Sequence, residues 1–380
     1  MSWILTEEQR MIQMMVREFA RKEIEPRAAE NDRTGKFPAD VISKMGELGL
    51  MGMMVPASYG GAEVGAVAYS VALQEIAYAC ASTAITMSVT NLCCEPIVHF
   101  GSDDQKRRWL PPVAGGDSLG AFALTESEAG SDPGNMRTVA KRKGDDYRIS
   151  GTKVFITNGG HAGTFILMAR TQEGGGNKGL TAFLVSKDAP GLQIGAEEQK
   201  MGLRASNTVE LILDDCIVPA EQRLGEEGQG FIVAMVALDS GRIGVASQAM
   251  GIAQACLDEA VRYSKERKQF GRYLSGFQAI AWMIADMTTE LEAARLLTWQ
   301  AARKKDLGLP FTQDASMAKL YASEMVNRAA YHALQIHGGY GYTKHFKVER
   351  LYRDARVTTL YEGTSEVQRI VISREALRSA

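Results

Sequence analysis

The hydrophobic repeat of this 380-residue chain changes twice, and those changes limit the architectures open to it more than any single motif does. Near the N-terminus Thr6 and Gln9 have capping-box spacing, and Met11, Ile12, Met15, Val16 and Phe19 follow on one helical face. Further helical runs cover roughly 39 to 50 and 66 to 100, on either side of the turn PASYGGAE. From about residue 119 the apolar runs become short and rich in β-branched or aromatic residues: LGAFALT, TVAKRK, YRISGTKVFITN, TFILMAR, LTAFLVS and TVELILDDCIV. Clusters such as KGDD and EGGGNKG separate them, which predicts an antiparallel sheet or barrel. After LGEEGQG the helical period returns, with long helices predicted near 227 to 266, 277 to 307 and 312 to 336. The chain is too long for one small domain. The expected organisation is therefore α+β in three units: helical over 1–115, β over 116–225 and a helical bundle over 226–380.

Composition removes several function classes. A net charge of −2 provides no electrostatic footprint for nucleic acid. Cys80, Cys93, Cys94, Cys216 and Cys256 are odd in number and lack CxxC spacing, which argues against a disulfide framework and against zinc. A reducing compartment follows, and the expected location is the cytoplasm, although a removed organelle transit peptide would leave no trace. No stretch approaches 18 uncharged apolar residues, so no membrane insertion is expected. Walker A and HExxH patterns are absent, and the one GxGxxG match, GGGNKG at 174 to 179, lies between two strand-like runs rather than between a strand and a helix, leaving a nicotinamide-binding Rossmann domain without support. GDSLG, residues 116 to 120, fits the G-x-S-x-G elbow of hydrolases and would make Ser118 a nucleophile. Its context is reversed, because the elbow needs a strand before it and a helix after it, whereas LPPVAG precedes and AFAL follows.

One acid stands out. In ARVTTLYEGTSEVQRIVI, Glu362 lies between segments able to bury themselves, Val357 to Leu360 on one side and Val367 with Ile370 and Val371 on the other. Gly363 permits close approach of the backbone to a ligand, and Thr364 and Ser365 suit the N-cap of a helix over Glu366 to Leu377. Such a segment is either a surface turn before a capped helix or a mount for a catalytic carboxylate. FALTESEAGSD (122 to 132), KVFITNGG (153 to 160) and ERKQFGRYLSGFQ (266 to 278) read alone as a strand with a polar turn, a buried strand and a basic helix end.

Taken together, in this order and spacing, these segments with LDSGRIG (238 to 244), QIHGGYGY (335 to 342) and YRDARVTTLYEGTSEVQR resemble the acyl-CoA dehydrogenases. Those flavoenzymes place α,β-unsaturation in acyl-CoA thioesters. The resemblance covers essentially the whole chain and implies a helical N-terminal domain, a β-barrel-like middle domain and a C-terminal four-helix bundle. It implies that Glu362 is the base, with its backbone N–H polarising the thioester carbonyl. It places Leu124 at the pyrimidine edge of the flavin, the Thr125 hydroxyl toward N5, Phe155 against one ring face and Thr157 near the ring. Phe122, Gly130, Thr364 and Glu366 join the FAD-binding set. Ser131 serves both FAD and CoA, and Asp239, Arg242, Tyr361 and Gly363 line the acyl-CoA channel. Arg267, Phe270, Gln278, Gln335, Gly338 and Gly339 would hold the FAD diphosphate and adenosine of a neighbouring subunit, implying a homotetramer built as a dimer of dimers. In some branches of the family the base comes from the position before the channel arginine; here that position is Gly241, leaving Glu362.

By resemblance the partners are an acyl-CoA and an electron-transfer flavoprotein. DSGRIGVASQAMGIAQ leans toward short-chain and methyl-branched members. SVTNLCCEPI, residues 88 to 97, is one residue shorter than usual and carries Glu95 where a small residue is common, which keeps a cyclic acyl group open and makes Glu95 the alternative base. An acyl-CoA oxidase and a catalytically silent flavin-binding protein are the other readings, the latter disfavoured by the intact Glu362.

Overall fold

The computed structural model describes residues 5–378, so the first four residues of the 1–115 unit and the last two of the 226–380 unit lie outside the described residues. Helices come first: α1 (Glu7–Phe19), α2 (Glu25–Thr34), α3 (Ala39–Glu47), α4 (Gly65–Ala79), α5 (Ala81–Phe100) and α6 (Asp103–Ala114). The capping box at the head of α1 forms as its spacing predicts, with the Thr6 hydroxyl accepting from the Gln9 N–H at 3.2 Å and the Gln9 side chain accepting from the Thr6 N–H at 3.0 Å. The single helical run expected over 66 to 100 is two helices, because Cys80 takes an extended conformation (φ −157°, ψ 112°) and turns the chain. Both are buried along almost their whole length, which is why neither shows a one-sided apolar stripe. Helix α6 escaped the periodicity reading because Pro111 and Pro112 lie inside it, yet Ser102 and Gln105 form a second capping box that marks its start.

The middle of the chain supplies β1 (Leu119–Ala123), β2 (Val139–Lys143), β3 (Asp146–Thr157), β4 (Ala162–Arg170), β5 (Leu180–Ser186), β6 (Leu192–Glu197), β7 (Thr208–Pro219) and β8 (Arg223–Leu224). They form one sheet in the order β6-β7-β3-β2-β4-β5-β8, with β1 on β4. The expected antiparallel sheet or barrel is a largely antiparallel sheet with parallel pairs: β1 runs parallel to β4, and β2 meets β4 in a single parallel pair, Val139 with Arg170. Alternation of apolar residues reports which face is buried, not which strand is the partner. Since the β2–β3 hairpin intervenes between β1 and β4, only a crossover is available to them. Tyr147 of β3 and Phe183 of β5 meet edge to face at 4.9 Å, and Ile149, Phe165, Leu167, Val185 and Leu211 join the same core.

The remaining helices are α7 (Gly230–Glu266), α8 (Gln278–Asp306), α9 (Thr312–His337), α10 (Val348–Arg356) and α11 (Ser365–Arg378), with a short hairpin, β9 (Lys268–Gln269) and β10 (Arg272–Tyr273), between α7 and α8. The three long helices fall where the sequence places them. Helix α7 is the axis of the fold, packed by α4, α5, α8, α9 and α10. By length and composition it could cross a membrane, but 67 % of its apolar window is buried inside the protein. The N-terminal unit is locked to the bundle by Asp306, whose carboxylate accepts the Ala66 and Val67 N–H groups at 2.5 and 3.2 Å and so caps α4. The sheet is tied on by Asp354, which accepts the Leu203 N–H at 2.7 Å.

A buried ion pair fastens the segment after β1 to β3. Lys153 of β3 is fully buried, and its ammonium donates to Glu126 at 2.7 Å and to the Leu124 carbonyl at 3.0 Å. Glu126 also accepts the Arg137 and Thr138 N–H groups at 2.6 and 3.0 Å. Removing one member of a buried pair leaves an uncompensated charge, at a cost of roughly 3–5 kcal/mol. Lys153→Met should therefore lower unfolding stability by about 3 kcal/mol in urea titrations, and Lys153→Met with Glu126→Gln should recover at least half of the loss. Equal stabilities of the single and double variants would rule the pair out as the fastening.

Candidate active site

Glu362 stands in a turn between a short 3₁₀ segment (Val357–Thr359) and α11, and both it and Gly363 are left-handed, with φ of 53° and 85°. For a residue with a Cβ this conformation is strained and persists only where the surroundings impose it. Here they do so through the two carbonyls of the turn. The side-chain amide of buried Gln368 donates to the Glu362 and Gly363 carbonyls at 3.0 Å each, and the Lys319 ammonium of α9 donates to the Gly363 carbonyl at 2.7 Å. Thr364 caps α11 by accepting the Val367 N–H at 3.3 Å; Ser365, the other expected cap, is already the first residue of the helix and donates to Glu324 at 2.7 Å.

The carboxylate of Glu362 is aimed at α7. A Cβ at Gly241 would lie 2.7 Å from Glu362 Oε2 and 2.6 Å from Leu92 of α5, so the acid fills space that any other residue at 241 would claim. Oε2 is buried and has no hydrogen-bond partner among the described residues. Burial pushes the Glu362 pKa up to about 7, although Arg242 and Lys319 pull the other way. Among the described residues, none of the hydrogen bonds uses the Glu362 N–H. The result is a carboxylate of raised proton affinity with one buried oxygen that has no partner among the described residues, next to an N–H that none of their hydrogen bonds uses.

Around Glu362 the residues expected to line the acyl-CoA channel are tied to one another. Asp239 pairs with Arg242 at 2.5 Å and accepts the Thr312 hydroxyl at 2.5 Å, while Arg242 also donates to Ser316 at 3.2 Å, which fixes α7 to α9. The Tyr361 hydroxyl donates to Gln248, whose amide donates on to the Ala81 carbonyl at 3.0 Å. Glu95 is no rival base. Against the desolvation that would raise it, Lys305 at 2.5 Å and His99 at 3.4 Å hold its pKa at about 2. The segment 88–97 that carries it is an unbroken part of α5.

A second group gathers at the end of β1. The Val154 N–H donates to the Thr125 carbonyl at 2.9 Å and Lys153 takes the Leu124 carbonyl, so FALTES and KVFITN are stitched edge to edge. Alternation along β3 would point Phe155 inward with Ile149, Gly151 and Lys153. The register instead shifts between Lys153 and Ile156, Phe155 adopts a φ of 59°, and its ring turns outward, 63 % exposed, while Ile156 takes the buried place. A bulge that re-aims one aromatic ring onto an open surface is a device for presenting that ring to something flat. Phe122, Thr125 and Thr157 are half-buried nearby along these strands, Leu124 is buried, and Gly130 and Ser131 lie exposed in the loop beyond.

The third group is elsewhere. Arg267, Phe270, Gln278, Gln335, Gly338 and Gly339 are all exposed, where the ends of α7 and α9 meet. Arg267 lies over the Tyr340 ring at 5.8 Å, Phe270 is 92 % exposed with a φ of 52°, and a Cβ at Gly338 or Gly339 would meet nothing within 4 Å. Some 25 residues of α7 at 1.5 Å each separate Arg267 from Arg242, about 37 Å in all. One chain cannot close these two groups around a single small site. Glu366, the last of the predicted residues, is exposed in the first turn of α11.

Sequence reasoning missed Lys319, Gln368, Lys153 and Glu126. A signal existed for the lysines: Lys319 falls on the same helical face as Ala315, Ala318, Ala322 and Met325, and Lys153 on the inward phase of β3, both positions where a charge must have a reason. The elbow reading of Ser118 has no support, since its hydroxyl donates to the Leu119 carbonyl at 3.4 Å and none of the hydrogen bonds among the described residues joins it to a histidine. The five cysteines are free and buried, and no cluster fit for a metal ion occurs among the described residues.

Family models for the acyl-CoA dehydrogenase N-terminal, middle and C-terminal domains match residues 6–117, 121–216 and 228–377. The short-chain specific acyl-CoA dehydrogenase of Clostridium acetobutylicum is 48 % identical over 379 residues, covering 100 % of both chains. Butyryl-CoA dehydrogenase from Megasphaera elsdenii superposes with a TM-score of 0.98 at 44 % identity, and covers 100 % of each chain. A chain solved in work on the electron transferring flavoprotein of Acidaminococcus fermentans gives the same TM-score, 0.98, at 46 % identity and the same coverage, 100 % of each. With all three of its domain models matched in order, and helical units flanking a central sheet, this chain belongs to the acyl-CoA dehydrogenase family.

Proposed function

We propose that Glu362 is the base that removes the α-proton in the dehydrogenation of a short-chain acyl-CoA, and that a buried, unpartnered Oε2 held in a strained turn is the observation that carries this reading. The protein is an FAD-dependent acyl-CoA dehydrogenase acting on short-chain thioesters. When bound, FAD accepts the β-hydrogen as a hydride. The chain's own residues supply the rest. An α-proton beside a thioester is feebly acidic, so the negative charge that develops on the carbonyl oxygen needs a fixed donor; the unspent Glu362 N–H is placed on the same turn as the base. A carboxylate with a pKa of about 7 combines strength as a base with availability near neutral pH.

The open ring of Phe155, with Leu124, Thr125 and Thr157, would hold the flavin, and Phe122, Gly130 and Ser131 would close around it. Thr364 and Glu366 would meet it from the turn of Glu362. The Arg267 group would hold the diphosphate and adenosine of a neighbouring chain's FAD, because it is exposed and about 37 Å from Arg242 along α7. A site shared between chains fits a homo-oligomer, which we read as a homotetramer, a dimer of dimers. The electron acceptor is an electron-transfer flavoprotein, and the enzyme works in the cytoplasm.

We place the acyl slot between α5 and α7 and read it as shallow from the contacts at Gly244. At Gly244, one turn beyond Gly241, a Cβ would lie 2.5 Å from Ser88 Oγ and 2.8 Å from the Tyr69 hydroxyl. Those two groups are hydrogen-bonded at 3.1 Å and fill the groove that the glycine leaves. A longer chain meets a wall, whereas in an open channel each added methylene would contribute up to about 0.8 kcal/mol of favourable burial.

Three outcomes test these readings. Glu362→Gln should purify yellow with FAD and still bind butyryl-CoA, while bleaching of its flavin by that substrate slows by at least about 100-fold, the low end of what a positioned base contributes; near-normal bleaching would move the base elsewhere. Across straight-chain acyl-CoAs kcat/KM should peak at about four carbons and fall abruptly beyond, and a broad maximum at eight or more would contradict a floor at Tyr69 and Ser88. Arg267→Ala should keep its circular dichroism spectrum yet bind FAD about tenfold more weakly, as loss of one charge-assisted contact implies. Sedimentation of a monomer that retains FAD fully would exclude the shared site.

A further inference from the structure

The mechanism so far leaves one buried charge without a task. Lys319 is fully buried in α9, on a stripe otherwise formed by Ala315, Ala318 and Ala322. Its ammonium has one hydrogen bond among the described residues, to the Gly363 carbonyl at 2.7 Å, and none to a carboxylate. A buried cation satisfied only by a neutral carbonyl is costly, so the fold must offset it with a negative charge close by. The carboxylate that acts on it first, ahead of Glu324 on its own helix and Glu366 on α11, is Glu362. Glu324 is already engaged by Ser365, and Glu366 is exposed to solvent.

We propose that Lys319 is a positioning residue for the catalytic carboxylate: it locks the left-handed turn through the Gly363 carbonyl, and its charge holds Glu362 in the ionised form that can accept a proton. The inference rests on the reading of Glu362 as the base. Two roles are combined in one side chain, and both are visible in the geometry. The hydrogen bond reaches the residue next to the acid, and with Gln368 it fixes the two carbonyls whose orientation defines the turn. The charge opposes the burial that drives Glu362 toward its neutral form. Groups facing Glu362 from the surrounding elements are Arg242 on α7, Tyr69 on α4, Cys93 on α5, Tyr361 on its own turn and Lys319 on α9; only Arg242 and Lys319 are cationic. Arg242 is already spoken for by Asp239 at 2.5 Å. Lys319 has no such competitor, and so is the counter-charge that removal should expose. Desolvation brings Lys319 itself down, to about 8, against the pull of Glu362 that raises it.

The sign is definite. A nearby cation lowers a carboxylate pKa, so deleting it raises that of Glu362, and the acid limb of the reaction, where the base becomes protonated, moves to higher pH. Lys319→Met removes charge and donor, Lys319→Gln keeps an amide donor without the charge, and Lys319→Arg keeps the charge. With the FAD-loaded proteins, the Glu362 titration is read directly from the infrared carboxyl band, assigned by its loss in Glu362→Gln, and in parallel from the pH profile of flavin bleaching by butyryl-CoA. Both midpoints should rise by roughly one pH unit in the Met and Gln variants and stay within a few tenths in Arg. The Met variant should in addition bleach more slowly at every pH, because the turn loses its donor. Midpoints unmoved in whichever uncharged variant holds FAD, with bleaching merely slowed at all pH values, would overturn the proposal and leave Lys319 a structural tie. If instead Glu362→Gln bleaches normally, it is the assignment of the base that fails, and the infrared midpoints still report whether Lys319 sets the charge of Glu362.

Discussion

The active centre depends on the absence of a side chain at position 241. Helix α7 passes so close to α5 and to the turn after α10 that a single Cβ there would strike both Leu92 and the Glu362 carboxylate. Because the space is empty, a carboxylate can enter from another segment, be cut off from water and remain unpartnered. The left-handed turn, the two donors to its carbonyls and the raised pKa all follow from holding an acid at that place. The same helix repeats the device one turn later at Gly244, where Tyr69 and Ser88 fill the gap.

Two glutamates on the walls of this region show how much the surroundings decide. Glu95 and Glu362 are chemically identical, the first buried and the second half-buried with its Oε2 out of solvent, yet Lys305 and His99 hold the first at about 2, and desolvation leaves the second at about 7. The difference is contact. Lys305 hydrogen-bonds directly to Glu95, whereas the cations near Glu362 are engaged by a carbonyl and by Asp239 and act on it only across space. A direct ion pair yields a fixed anion, and a distant charge yields a base that can still be protonated.

Much of this was legible in the sequence. The three long helices of the bundle, six of the strands and the position of Glu362 on a turn before a capped helix follow from periodicity and capping alone. The partner of β1 did not, because alternation gives a face and not a neighbour. The outward Phe155 contradicts its own alternation, and a register shift with a left-handed residue cannot be inferred from a pattern that assumes regular pleating. Family resemblance supplied that ring's importance where local rules assigned it to the core. Lys319 and Lys153 were written in the pattern as charges on apolar stripes, but what each one touches comes from segments far away along the chain: Gly363 in one case, Leu124 and Glu126 in the other.

Helix α7 also acts as a phase gauge. It carries Gly241 and Arg242 on one part of its length and delivers Arg267 at its end, with no proline and no break among its 37 residues. An inserted residue anywhere between would advance the far end by only about 1.5 Å but rotate it by about 100°, turning the exposed cation to a different side of the molecule while the near end stayed in register. The length of this helix is thus constrained less as a distance than as an angle. Substitutions along it can be absorbed one by one, whereas a change in residue count would have to come in steps close to whole turns, near seven residues at a time, for both ends to keep facing what they face now.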